Sequence, residues 1–302
     1  MKLKISILAI TIIITASLVI LLSVDNDSDS RYPAAYFQGS TFREAVPKEA
    51  EKAVQVLGCS GNLLKSSDGN LYVLMAGHCL KFIDTCFDIN IRLHIEEHDQ
   101  KTFVNGKCRE MKINDKEHDI VIFKAELFKD NMRYYPNEDL KYCLEENILP
   151  QETPLRVVHF PNFNPDKINA PKATVASAVG DIITKTPRVS ENCSIISEPV
   201  WCAECRDKQT VQWVNCPLFE GSSGAGLINL KNSCIAGVAH AADPGAKEFA
   251  ANEKGASMAV MSLFVKKHRK QLDELKIKIG DTSSEESIMD SSNQESQSNS
   301  VR

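Results

Sequence analysis

Short apolar runs separated by turn signals mark the first half of the chain. They fall at residues 61–64, 71–75, 89–95, 102–104 and 120–123. Ser67-Asp68-Gly69-Asn70 and Asn105-Gly106 lie between them, combinations that favour tight turns. This rhythm predicts the strands of a β-barrel. Residues 51–57 read as a first strand or a short helix. Residues 124–152 are charged and mixed, which suits a crossing segment with a helical turn. A second set of runs covers residues 154–160, 173–178, 181–184, 193–196, 210–214, 225–230 and 234–239. An amphipathic pattern over residues 258–275 predicts a C-terminal helix. The fold class expected from this pattern is all-β, with one helix at the end.

The two ends read differently. Lys2 and Lys4 precede an apolar run from Ile5 to Val24, and Asp25, Asp27 and Asp29 follow it. Positive charge before and acidic charge after directs the downstream chain across a membrane. The run is long for a signal-peptide core and sufficient for a spanning helix, and no clean Ala-x-Ala cleavage site follows. Residues 1–30 are therefore expected to be a signal peptide or a signal anchor, with membrane contact through residues 5–24 if uncleaved. The rest is expected outside the cytosol, whether secreted, periplasmic or membrane-anchored. Residues 31–50 read as an extended or irregular lead-in, and residues 277–302 as a disordered polar tail. That leaves residues 51–276 as one folded domain.

Composition narrows the picture further. Apolar residues form 43% of the 302, enough for a full core. The net charge is −5 and no basic run carries interleaved aromatics, which argues against nucleic acid as a partner. The ten cysteines all lie between Cys59 and Cys234, and an even set in an exported chain points to disulfides. Cys202 and Cys205 form a Cys-x-x-Cys pair. A structural disulfide is its main reading, with a tetrahedral zinc site or a redox dithiol as alternatives. No metal or cofactor is expected.

The chemistry concentrates at Glu220-Gly221-Ser222-Ser223-Gly224-Ala225-Gly226. A hydroxyl becomes a nucleophile only when a base takes its proton and donors hold the oxyanion that follows. Two partners lie upstream: His78 in Ala76-Gly77-His78-Cys79, and Asp119, which opens the apolar run Ile120-Val121-Ile122-Phe123. Asp84, Asp88, Asp99 and Asp115 are competing carboxylates, but only Asp119 begins such a run. Ser222 is the rival serine, and the glycine spacing favours Ser223.

These three segments, in the order His, Asp, Ser, resemble the trypsin/chymotrypsin-like serine peptidases over roughly residues 50 to 270. The bacterial branch of V8-like glutamyl endopeptidases looks closest, because Ser222 stands where other relatives carry an aspartate. The resemblance implies two antiparallel six-stranded β-barrels with a C-terminal helix, and an exported endopeptidase acting on proteins or peptides. His78, Asp119 and Ser223 would be its catalytic residues, and the N–H groups of Gly221 and Ser223 its oxyanion hole. It also implies a disulfide between Cys59 and Cys79; Cys193 with Cys216 is a second expected pair. Pro217, six residues before the nucleophile, would help set substrate preference, and its lack of charge argues against cleavage after Arg or Lys. His240 would meet a substrate carboxylate if it matched the histidine of glutamate-specific relatives, but it stands one position later, which favours a strand-end or surface histidine. Small or apolar residues before the cut are the other expectation. With Ser222 in place of aspartate, the oxyanion hole is expected to form without insertion of a new N-terminus. His94, His98, His118 and His159 read as solvated or hydrogen-bonded. The alternative function is a catalytically inactive binding protein on the same fold.

Overall fold

The computed structural model describes residues 41–280, apart from 82, 84, 98–99, 137–141, 162–186, 204–207, 219–220 and 241–255. The apolar run of residues 5–24, the expected strands at 173–178 and 181–184 and the polar tail from 281 onward lie outside the described residues. Among the described residues, no helix is long and apolar enough to cross a membrane.

The first half supplies β1 (Thr41–Glu44), a helical turn α1 (Pro47–Ala50), β2 (Ala53–Val56), β3 (Cys59–Lys65), β4 (Leu71–Ala76), β5 (Asn90–Glu97), β6 (Gln100–Asp115), β7 (Ile120–Lys129) and β8 (Met132–Tyr134). Strands β4-β3-β2-β5-β6-β7 hydrogen-bond in that order, and β7 returns to pair with β4. The result is a closed six-stranded barrel. Its closing ladder runs from Leu71 opposite Ala125 to Ala76 opposite Ile120.

Both closing strands are buried on two faces, which is why they read as continuous apolar runs rather than alternating ones. Leu71, Val73 and Met75 of β4 point inward with Val121, Phe123 and Ala125 of β7. Tyr72, Leu74 and Ala76, with Ile120 and Ile122, face outward into a second apolar cluster shared with the other half of the molecule.

The second half supplies β9 (Cys143–Glu145), β10 (Pro154–His159), β11 (Arg188–Ser194), β12 (Val200–Cys202), β13 (Gln209–Val214), β14 (Gly226–Asn229), β15 (Cys234–His240) and β16 (Ala256–Val260), then the helix α2 (Met261–Glu274) and β17 (Ile279–Gly280). Strands β11-β10-β14-β15-β16-β13 follow one another in an antiparallel sheet, flanked by β1 and β12. The sheet rolls until Ile195, just past β11, bridges Val214 at the end of β13. The Ile196 N–H donates to the Trp213 carbonyl at 2.8 Å across this seam. Strands β9 and β17 add a short parallel edge beside β15. The architecture is the expected chymotrypsin-like double barrel. Helix α2 packs Phe264, Val265 and Leu272 into the cluster between the barrels.

Several expected boundaries move. The end of the lead-in takes the extended form: β1 pairs with β11 from Thr41 opposite Glu191 to Glu44 opposite Arg188. Asn105-Gly106 is not a turn but lies inside β6. A Cβ at Gly106 would meet Leu127 Cδ2 at 2.6 Å, so the glycine marks close packing. The crossing segment contains the end of β7 together with β8 and β9, and no helical turn among its described residues. Residues 258–260 belong to β16, so the helix starts at Met261. Ile277 is buried and Ile279–Gly280 is a strand, so the folded unit extends past residue 276.

Cys59–Cys79 and Cys193–Cys216 are bonded as expected, together with Cys86–Cys108 and Cys143–Cys234. Cys202 is also disulfide-bonded, which removes it as a zinc thiolate; Cys205 lies outside the described residues. Such bonds are the mark of an oxidising, extracytoplasmic environment.

Candidate active site

The barrel closure brings His78 and Asp119 together. His78 lies in the single helical turn Gly77–Leu80 directly after β4, and Asp119 directly precedes β7. Because Ala76 faces Ile120, the residues just beyond them flank the same end of one ladder. A separation of 41 residues along the chain becomes a contact.

That contact is a two-point clamp. Asp119 Oδ1 accepts the His78 backbone N–H at 2.6 Å, and Asp119 Oδ2 lies 2.6 Å from His78 Nδ1. The Gly77 N–H donates to the Asp119 carbonyl at 2.9 Å. Asp119 sits at φ +52°, in the left-handed region that aspartate tolerates better than most residues. Burial alone would raise the pKa of its carboxyl. The imidazoles of His240 and His78 outweigh burial and bring it down to about 2.

The Ser223 turn is sewn onto both barrels. From β3, the Ser60 N–H donates to the Ser223 carbonyl at 2.8 Å, and Ser60 Oγ donates to the Gly221 carbonyl at 2.7 Å. Asn62 Nδ2 donates to the Gly224 carbonyl at 3.2 Å. From β15, the Ala239 carbonyl accepts the Gly224 N–H at 2.8 Å. Gly221 and Gly224 take φ +88° and +89°, and a Cβ at Gly224 would overlap the Ser60 carbonyl oxygen. Only glycine fits there. Among the described residues, neither the Gly221 nor the Ser223 N–H is taken by a protein acceptor. Cys79, next to His78, places its sulfur 3.9 Å from the Ser223 carbonyl oxygen. The disulfide to Cys59 therefore holds the histidine loop against the serine turn. Ser223 is 7% exposed.

Two histidines, one read as hydrogen-bonded or solvated and one at a strand end, have partners that the sequence could not name. His240, at the end of β15, places Nε2 3.1 Å from Asp119 Oδ2. It is thus turned to the Asp119 carboxylate, where the glutamate-specific reading required it to face a substrate. His159, at the end of β10, is fully buried, 2.6 Å from Ser222 Oγ through Nδ1 and 3.0 Å from Ser190 Oγ through Nε2. Ser190 Oγ in turn donates to the carbonyl of Pro217 at 2.7 Å. Pro217 is itself buried. The sequence carried one usable signal for His159: it stands inside the apolar run Val157-Val158-His159-Phe160, where water cannot satisfy it. His94 and His118 are largely buried, and His98 lies outside the described residues.

Two donor groups among the described residues are close enough to share a metal ion: His78 with Asp119 and His240, and Asp115 with Glu117 and His118. The second group is spent on hydrogen bonds to Asp115, from His118 Nδ1 at 2.7 Å, Lys267 Nζ at 2.9 Å and His268 Nε2 at 2.7 Å.

Fold and site together define a protein of the chymotrypsin-like architecture. Among solved structures, the chain is similar to the scabies mite inactivated protease paralogue S-D1. The two share 14% sequence identity at a TM-score of 0.50, over 79% of this chain and 98% of that one. This likeness is one of fold. No family model and no curated protein matches the sequence.

Proposed function

We propose that this protein is an exported serine endopeptidase that cleaves peptide bonds through Ser223, His78 and Asp119. The observation that carries this reading is the Asp119 clamp on His78, 2.6 Å at both the backbone and the ring, beside a serine turn stitched to β3, the strand paired with β4, and to β15. With its Nδ1 proton held by Asp119, His78 presents a free Nε2 lone pair. That atom takes the Ser223 proton as Oγ attacks the scissile carbonyl, then delivers it to the leaving amine. Asp119 stays ionised and stabilises the imidazolium. The N–H groups of Gly221 and Ser223 receive the oxyanion, each contributing about 3 kcal/mol. Water then releases the acyl group by the same steps in reverse.

Small or apolar residues before the cut fit this site best. Pro217 brings no charge to it, and His240 lies against Asp119. Kinship with the V8-like branch rests on Ser222 alone. Residues 5–24 would act as the export signal or as a tether.

Cleavage of a peptide library by the purified protein tests the reading. Ser223→Ala and His78→Ala should each lower kcat on the order of 10⁵–10⁶-fold, and Asp119→Asn about 10⁴-fold. Intact binding of peptides with no turnover by the wild type would instead identify an inactive binding protein.

A further inference from the structure

His240 is not needed for the proton transfers above, yet it is buried against them. It is 6% exposed, and its Nε2 stands 3.1 Å from Asp119 Oδ2 in an ion-pair contact without a well-formed hydrogen bond. A buried polar nitrogen whose hydrogen bond is not well formed is costly, so its retention calls for a ligand or a function. The His78 ring stands across from it, with centroids 5.0 Å apart and planes at 59°. One donor atom from each of His78, Asp119 and His240 lies within 4.8 Å of the other two.

Two imidazole nitrogens and a carboxylate oxygen are a three-ligand set suited to zinc, with a fourth position left for water. We infer that His78, Asp119 and His240 form an inhibitory binding site for a zinc ion. The inhibitory consequence rests on the peptidase reading; binding itself does not.

The geometry is close to what the ion requires. Zinc–ligand distances of about 2.0–2.2 Å in a tetrahedral shell set neighbouring donors roughly 3.3–3.5 Å apart. The His240–Asp119 pair is already near that spacing at 3.1 Å. The His78–Asp119 pair, at 2.6 Å, opens by somewhat under about 1 Å.

The proton count explains why binding silences the enzyme. In the resting site the His78 proton sits on Nδ1, shared with Asp119. Zinc takes the Nδ1 lone pair, so the proton moves to Nε2 and the ring stays neutral. An Nε2 that carries a proton cannot accept one from Ser223. His240 coordinates through Nε2 with its own proton on Nδ1. The inactive state is thus a tautomer fixed by the metal, and it is reversed by a chelator.

Calorimetric titration of the Ser223→Ala protein with zinc chloride reads binding without self-digestion, and zinc inhibition of the wild type reads the consequence. One zinc per chain is expected, with affinity falling at least tenfold in both His240→Gln and His78→Ala backgrounds. His118→Ala, at the other donor group, should leave it unchanged. Near-ultraviolet circular dichroism verifies the fold of each variant. Cobalt in place of zinc should give the visible bands of a tetrahedral site, lost in His240→Gln. Unchanged zinc affinity in both His240→Gln and His78→Ala overturns the inference, as does loss of binding in His118→Ala alone. Peptide hydrolysis that persists at saturating zinc also overturns it, with the peptidase reading intact. Zinc binding that depends on His240 in a protein that hydrolyses nothing would uphold the site and remove the peptidase reading.

Discussion

Nδ1 of His159 lies 2.6 Å from the hydroxyl of Ser222, and the neighbours fix the direction of that bond. Ser190 spends its one hydroxyl proton on the Pro217 carbonyl, so towards His159 Nε2 it can only accept. Nε2 therefore carries the imidazole proton, and Nδ1 receives the proton of Ser222. Burial, with a smaller contribution from Arg188, pushes the His159 pKa down to about 3, so the ring is neutral throughout the neutral range. A chain of neutral hydrogen bonds thus runs from Pro217 to the residue before the proposed nucleophile. It ties the serine turn to β10 and β11 through neutral groups.

Replacing His159 should loosen that turn and misplace the oxyanion donors. In His159→Ala, kcat is expected to fall about 100-fold with KM little changed, since displacement of a reacting group by about 1 Å costs that much. His159→Gln, which can still accept from Ser222 and donate to Ser190, should recover part of the loss. Steady-state kinetics of both variants check this. A lowered melting temperature with unchanged kcat would show that His159 only fills space.

Acid should destabilise the fold in two windows. The His159 pKa is about 3 when folded, against an ordinary value near 6.5. Between those values the unfolded chain binds a proton that the folded chain does not. Stability from this group is full above pH 6.5 and declines as pH falls towards 3, by up to about 1.4 kcal/mol per pH unit. Asp119 is shifted down, to about 2, and Asp115 is also held well below the usual carboxylate range. Their contribution is full above the ordinary carboxylate value and disappears as pH falls through their folded values. Urea unfolding from pH 7 to pH 4 should show the first decline, and His159→Gln should flatten it.

Asp115 is the pin between the Asp119 loop and helix α2. Besides the His118, Lys267 and His268 side chains, it accepts the Glu117 N–H at 3.0 Å. Burial opposes its ionised form, and the bonds from Lys267, His118 and His268 more than offset that. Asp115→Ala leaves these donors facing a void, and the loss is expected to be on the order of 3 kcal/mol. Chemical denaturation measures it. Activity should fall as well, because Asp119 is only four residues along the same loop.

The sequence made the barrel strands and the three proposed catalytic segments legible because each is local. An apolar run such as Ile120-Val121-Ile122-Phe123 announces itself, and so does a glycine-rich turn. What stayed hidden depends on partners far away in the chain. The pairing of β1 with β11 joins residues near 43 to residues near 189. Cys143–Cys234 spans 91 residues and could not be told from other pairings. Gly106 looked like a turn because glycine serves both sharp bends and close strand packing. His240 illustrates the period-two rule: a shift of one residue turns a strand side chain to the other face, here from a substrate pocket to Asp119. The seam between β16 and α2 was invisible because residues 258–265 are buried almost throughout, which erases the difference between strand and helix periods.

Covalent labelling reads the proposed catalytic site most directly. The purified protein is treated with a fluorophosphonate, and its intact mass and tryptic peptides are measured. The account predicts one adduct per chain, located on Ser223, absent in Ser223→Ala and formed far more slowly in His78→Ala. A wild-type protein that takes up no adduct, or takes it up at another residue, would contradict it.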